Sequence, residues 1–254
     1  DVAVVTTSSD LSVCAPTFEA LLERGLPIVS TCEELAWPWL RHAELADRLD
    51  RVAQTYGGRL VGTGVNPGFL MDAFPLAVSR VARRIDRVSV HRIQDATTRR
   101  LPFRQKIGAG LSEEAFAKKV ESGALRHVGL GESLHFLSHY LQLPIDTWDE
   151  NIEAVRDASG EIQGVQQIAE GHREGERVLE LVFRAAVGQS DPHDRVIIEG
   201  DPDLDVRWSG GVHGDIATSS MVTSTIRPLV AAAPGLHTMA TLPLTGLSAP
   251  IGQR

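Results

Sequence analysis

Cysteine is scarce in this chain. There are two in 254 residues, Cys14 and Cys32, with no spacing that fits a disulfide framework or a metal site. Lysine is nearly as rare: Lys106, Lys118 and Lys119 are the only three, and arginine supplies the rest of the positive charge. This is a composition bias to which no mechanism attaches. No apolar run approaches the ~20 residues of a membrane-crossing helix, and no secretory leader pattern is present. A cytoplasmic protein with no membrane partner is therefore expected. The nine histidines contain no HExxH motif, and no G-x-S-x-G elbow occurs, so neither a metal centre nor a serine hydrolase is indicated. A formal charge of −8 favours solubility and argues against nucleic acid as a partner.

What is present is an ordinary globular composition, 43% hydrophobic and 23% charged, enough for one large domain or two intimate ones. Asp1 runs at once into VAVVT, a strand with no element before it and no initiator Met. The expectation is a portion of a longer protein. Residues 15–24 carry Phe18, Leu21 and Leu22 at helical spacing, with Gly25 as the stop. PIVS at 27–30 is a second short apolar strand, a helix follows over about 41–55, and Arg59–Thr63 is a third strand. This β-α-β-α-β order, with strands so short and apolar, predicts a parallel sheet covered on both faces.

Asn66-Pro67-Gly68 opens a helix expected to run to about Arg83. From Arg87 the period changes to two. Helices are expected at 113–122 and 132–141. Extended segments follow at 148–156, 162–170, 177–187, 194–199 and 204–208, separated by Asp/Gly/Pro-rich turns and read as a largely antiparallel or mixed sheet. Asp215–Val230 is a last helix. The change of pattern divides the chain into 1–65 and 66–254, the last residues being free to return to the first domain.

In an open parallel sheet, ligands bind beyond the carboxyl ends of the strands. Here those ends are TTSSD, STCEE and GTGVNPG. Thr6, Thr7, Ser8, Thr31 and Cys32 become candidate ligand contacts. Glu33 and Glu34 stand at the same mouth, and adjacent residues diverge on a helical turn, so one of them can face the crevice. Glu33 is nearer the strand end. The alternative is that both are first-turn acids drawn by the helix dipole. The glycines of GTGVNPG are spaced one residue too widely for a dinucleotide fingerprint, and GAGLSE at 108–113 lacks the third glycine. A pyrophosphate loop is expected upstream of Asp1.

VHRIQDATTRRLPFRQK is densely basic. Arg99, Arg100, Arg104 and Lys106 fit a solvated strand edge whose charges deter edge pairing. Arg92 lies inside the alternating pattern and is a candidate site residue. His213, in the loop before the last helix, and His127, in LRHVGLGES, are further candidates.

STCEEL, GTGVNPGFLMD, DATTRRLPFRQKIGAGL, HVGLGES and IEGDPDLDVRWSGGVHGDIAT, in this order, resemble the 2,4-diaminopentanoate dehydrogenase family. That family also includes native amine dehydrogenases and is catalogued as dihydrodipicolinate reductase-like. The resemblance covers essentially the whole chain. It implies an α/β fold, the C-terminal part of a Rossmann domain followed by an α+β substrate and dimerisation domain. It implies NADP or NAD as cofactor, interconversion of an amine with a ketone plus ammonia, and a homodimer. Residue by residue it places the acid/base on Glu33 and sets Asn66 and Pro67 beside the nicotinamide. It lines the substrate pocket with Arg92, His213, His127 and Gln94. Arg92 could serve the substrate directly or orient Glu33 or Asp95. The alternatives are a reductase of another C=N substrate and a non-catalytic Rossmann-like binding protein. A true dihydrodipicolinate reductase would carry a His-rich stretch and a Lys where VHRIQDATTRR stands.

Overall fold

The computed structural model describes residues 1–246. Three short apolar strands open the chain: β1 (Ala3–Val5), β2 (Pro27–Ser30) and β3 (Arg59–Gly62). Between them lie α1 (Leu11–Leu22) and α2 (Trp39–Tyr56). Asp10 caps α1, accepting from the Ser12 and Val13 amides. α2 ends at Gly57, which takes the left-handed conformation at φ 76°. A 3-10 turn, Glu33–Ala36, follows β2, and α2 kinks at His42, whose φ/ψ of −136°/44° leave the helical region. After β3 come a π-turn, Phe69–Ala73, and α3 (Phe74–Ser79). The single helix expected over 66–83 is thus two shorter pieces.

The strand-rich half contains β4 (Arg84–Asp95), α4 (Leu101–Lys106), α5 (Glu113–Glu121), α6 (Leu130–Tyr140), β5 (Thr147–Arg156), β6 (Ile162–Arg173), β7 (Glu176–Ala186), β8 (His193–Asp201) and β9 (Leu204–Ser209). α7 (Gly214–Ala231) and β10 (Gly235–His237) complete the chain. α4 corrects the sequence reading: Arg104 and Lys106 lie on a helix and Arg99 and Arg100 just before it, not on a strand edge.

Two sheets form. The first has the order β1-β2-β3-β10, with every neighbouring pair parallel. Ile28 and Leu60 point to one face, where they join Leu11, Phe18, Leu22 and Leu49. Val29 and Val61 point to the other, with Val222, Leu229 and Met239. Both faces are buried, which is why these strands read as unbroken apolar runs. The second sheet has the order β5-β6-β7-β4-β8-β9. It is mixed, as expected for a largely antiparallel or mixed sheet, because β4 and β7 run parallel. Parallel partners need a crossover between them, and here it is the long chain excursion between β4 and β7.

By backbone contacts the chain divides into two compact units. The first comprises 1–78, 131–140 and 213 onward, and the second 79–130 and 141–212. Neither is continuous in sequence. Residues 66–78 and most of α6 group with the parallel sheet, in place of the single change expected near residue 65.

Candidate active site

In the first unit, the loops after β1, β2 and β3 are knitted together by short hydrogen bonds. The Thr31 amide donates to Val5 O (3.1 Å), the Thr63 amide to Ser30 O (2.8 Å) and the Glu34 amide to Ser9 O (3.2 Å). Ser30 Oγ donates to Val5 O at 2.9 Å and accepts from the Cys32 amide at 3.1 Å. Beyond these strand ends lies a cavity of ≈ 290 Å³ lined by Thr6, Thr7, Ser8, Thr31, Cys32, Glu33, Asn66 and Pro67. The structure therefore brings together the glutamate and all seven residues that the sequence marked for cofactor contact.

Ser9, Ala36, Thr63, Gly64 and Thr218 also line it. Ser9, Thr63 and Gly64 belong to motifs already singled out. Thr218 comes from α7 and left no signal in the sequence. It enters because α7 packs on the parallel sheet, and its Oγ1 accepts from the Val65 amide at 3.3 Å.

The structure separates Glu33 from Glu34. Glu33 lines the cavity and is half-buried. Glu34 is buried, and its Oε2 accepts from the Leu11 amide at 2.9 Å and lies 2.9 Å from His42 Nε2. Leu11 is the first residue of α1, whose early amides have no partner inside the helix. A carboxylate there is favoured by the dipole. Both acids open the 3-10 turn, but Glu34 serves the terminus of α1, a different helix, while Glu33 lines the cavity.

The Asn66-Pro67-Gly68 turn contains a cis Asn66–Pro67 bond and a Gly68 at φ 120°. A Cβ on Gly68 would lie 2.6 Å from Gly64 N, so the turn admits only glycine there. Thr63 Oγ1 is buried and has no hydrogen-bond partner among the described residues. A buried hydroxyl without a partner costs roughly 1–3 kcal/mol, and a bound polar ligand would remove that cost. The hydroxyls of the first loop, the Asn66 amide and Thr63 together suit a ligand bearing a sugar and a carboxamide. They fit the nicotinamide end of a dinucleotide placed beyond the strand ends. The Cys32 thiol is pushed up by burial and by Cys14 beside it, so it contributes as a neutral group.

The second unit holds Arg92, Gln94 and His127. Val88, Val90 and Arg92 project from one face of β4, so Arg92 continues an apolar stripe. Its register partners are Phe183 on β7 and Asp194 on β8. Arg92 Nη1 pairs with Asp194 Oδ1 at 2.9 Å, both side chains being almost fully buried. Nη2 donates to Val212 O at 3.2 Å, which also accepts from Gln94 Nε2 at 3.4 Å. Asp194 Oδ2 accepts from the Val212 amide at 2.7 Å. The partner of Arg92 is thus Asp194 and neither Glu33 nor Asp95. Asp95 accepts instead from Thr97 and the Gly188 amide.

Burial lowers the Arg92 pKa and raises that of Asp194, against their mutual attraction. The His127 ring stacks on Phe183, with centroids 4.4 Å apart. Its backbone is clamped by Gln167, which accepts from the His127 amide at 2.6 Å and donates to its carbonyl at 3.0 Å. Part of the residue remains accessible, but the ring is packed among protein atoms. That burial, with Lys106 and Arg92 nearby, holds its pKa at about 3, so the imidazole is neutral. His213 belongs to the first unit, as the residue before α7, without a side-chain capping bond.

Residues 69–249 match the family described as 2,4-diaminopentanoate dehydrogenase C-terminal domain. The chain belongs to this family. A 2,4-diaminopentanoate dehydrogenase from Acetoanaerobium sticklandii is 28% identical over 96% of the chain and 74% of its own length. Among solved structures, an amine dehydrogenase from Mycobacterium smegmatis is similar in fold. Its TM-score is 0.78 at 23% identity, covering 96% of this chain and 76% of that one. The family match begins at Phe69, so all of the cavity except Thr218 precedes it. The match to the Acetoanaerobium protein spans most of both parts.

Proposed function

We propose that this protein interconverts an amine with a ketone plus ammonia by hydride transfer to NAD(P), and that Glu33 is the acid/base. Membership of the family makes the chain an oxidoreductase acting on a CH–NH2 group, with NAD(P) as its cofactor. The observation that carries the finer reading is the placement of Glu33. It is the carboxylate in the cavity lining, among hydroxyls at the ends of a parallel sheet.

The reaction sets what that carboxylate does. A substrate R2CH–NH3+ is attracted to Glu33 and gives it a proton, because only the neutral amine can release hydride. The nicotinamide, when bound, accepts that hydride. Glu33 then passes the proton it took to solvent, water adds to the resulting iminium carbon with Glu33 taking a proton from it, and ammonia leaves from the tetrahedral carbon. In sum, ammonium substrate, oxidised nicotinamide and water give ketone, ammonium ion, reduced nicotinamide and one proton. A positioned carboxylate that serves proton steps of this kind contributes about 10²–10⁴-fold.

In this reading Thr6, Thr7, Ser8, Thr31 and Cys32 border the cofactor, and Asn66 and Pro67 meet its nicotinamide. Arg92, Gln94 and His127 serve the substrate from the second unit, Arg92 through Asp194 and Val212, and His213 serves it from the first. Two copies associate through the strand-rich unit. One face of its sheet carries Ile93, Ile168, Val182 and Ile197, half-exposed and interleaved with His91, Glu180 and Arg195, as a mixed surface for that contact. Among the described residues no helix is long and apolar enough to cross a membrane. We place the protein in the cytoplasm, where nicotinamide cofactors are supplied.

The test follows nicotinamide absorbance in the full-length protein. Ketones with excess ammonia are offered with NADH or NADPH, and 2,4-diaminopentanoate with the oxidised cofactors. Turnover with any pair supports the reading and names the substrate. Cofactor binding without turnover on any pair would make the protein a binding module and end the proposal.

A further inference from the structure

Asp72 is a charge at an unexpected place. It lies on the π-turn, 1% exposed. Its Oδ2 accepts from the Gly68 amide at 2.6 Å and from Ser133 Oγ of α6 at 3.0 Å. Its Oδ1 is buried with no hydrogen-bond partner among the described residues. The amide it holds belongs to the turn that carries Asn66 and Pro67 into the cavity lining. That turn is held at two other points, by Leu70 N donating to Val65 O (2.9 Å) and by Val65 N donating to Thr218 Oγ1 (3.3 Å). The wide winding of the π-turn sets the Asp72 carboxylate against an amide four residues earlier, and such turns occur often at functional sites. A neutral Asn could accept the same two bonds, so the charge itself calls for a reason.

We propose that Asp72 is a positioning residue: its carboxylate fixes the Asn66-Pro67-Gly68 turn against the nicotinamide, and its charge state sets how firmly the turn is held. This rests on the reading of the cavity as a nicotinamide site. Burial raises the Asp72 pKa to about 6 in spite of the Gly68 and Ser133 bonds, and the nearby carboxylate of Glu132 pushes the same way. Glu132 is itself paired with Arg41 of α2 at 2.8 Å. The group thus changes charge just below neutrality. Protonation exchanges a charge-assisted bond to Gly68 for a weaker neutral one.

The experiment compares Asp72→Ala and Asp72→Asn with the wild type, all as full-length protein. Hydrogen exchange is measured without cofactor. In Asp72→Ala, peptides over 63–70 should exchange at least about tenfold faster while β2 is unchanged, and Asp72→Asn, which keeps the acceptor without the charge, should restore part of the protection. Fluorescence titration with NADH and NADPH, and kcat/KM, are then followed with pH. The wild type should lose about fivefold between pH 7 and pH 5 beyond what Asp72→Asn loses. Unchanged exchange in Asp72→Ala, or an acid limb that persists in full in Asp72→Asn, would overturn the proposal. If Asp72→Ala does not fold, the pH profile of Asp72→Asn decides. If the wild type binds neither cofactor, the nicotinamide reading fails and this proposal with it.

Discussion

The two sheets handle buried polar groups differently. Around the parallel sheet, polar side chains collect where the strands stop, and Thr63 Oγ1 waits there without a partner. On the mixed sheet they sit mid-strand in an apolar face. Arg92 is answered by Asp194 and Val212, and Gln167 by the His127 backbone. A strand end leaves hydroxyls and loop amides that the fold need not use itself, which is what a ligand requires. A mid-strand charge must be satisfied inside the protein, because burying it alone costs several kcal/mol. The first pattern marks a binding site. The second marks a scaffold that keeps its buried charges matched.

The largest effect should come from breaking the scaffold pair. Arg92→Ala leaves Asp194 buried without its cation and should destabilise the protein by roughly 3–5 kcal/mol, read by denaturant unfolding. A loss under ~1 kcal/mol would mean that Arg92 is not part of the architecture.

Acid should then separate the two sheets by sign. His127 is held neutral to about pH 3, while the unfolded chain takes up a proton near pH 6.5. Its contribution is therefore lost as pH falls below 6.5, at about 1.4 kcal/mol per unit. Asp72 has its pKa raised to about 6. Its stability contribution is fully present below the unfolded value near 4 and lost as pH rises through 6, so acidification returns up to about 3 kcal/mol. Between pH 7 and pH 4.5, His127→Phe should lose less stability than the wild type and Asp72→Asn more. The same sign for both variants would contradict the placement of these groups.

A smaller effect is expected for Glu34→Gln. It keeps an acceptor for the Leu11 amide but removes the charge from the α1 terminus, costing about 1–2 kcal/mol of stability with turnover largely kept. Smallest in stability is Thr63→Val. It deletes a hydroxyl without a partner, so the folded state should change by no more than about 1 kcal/mol. Affinity for NADH or NADPH should nonetheless drop severalfold, because that hydroxyl then has nothing to offer the ligand.

Much of the cavity was legible because strand ends are local. An apolar run that stops in hydroxyls and acids places those residues beyond a parallel sheet whatever the rest does. Glu33 and Glu34 could be separated only once the 3-10 turn and the α1 terminus were in place, since the decisive bond runs from Glu34 to Leu11, 23 residues away. The roles of Thr218 and Ser133 were invisible for the same reason, since both reach the site on helices from elsewhere in the chain, and that of Asp72 depends on a π-turn that no periodicity reports. The β4–β7 pairing was not legible because alternation reports a half-buried strand and carries neither partner nor direction. α4 was missed because its polar sequence and six-residue length leave no helical stripe. β10 is three residues long, too short for any period to show.

The central claim is that the first of two adjacent acids serves the chemistry and the second the fold. Its most direct test is to compare Glu33→Gln with Glu34→Gln in the full-length protein, measuring turnover and NAD(P)H affinity on the same preparations. Glu33→Gln should lower kcat by about 10²–10⁴-fold with cofactor affinity and unfolding midpoint within error of the wild type, while Glu34→Gln keeps turnover within a few-fold. Near-normal turnover in Glu33→Gln, or equal losses in both variants, would contradict it.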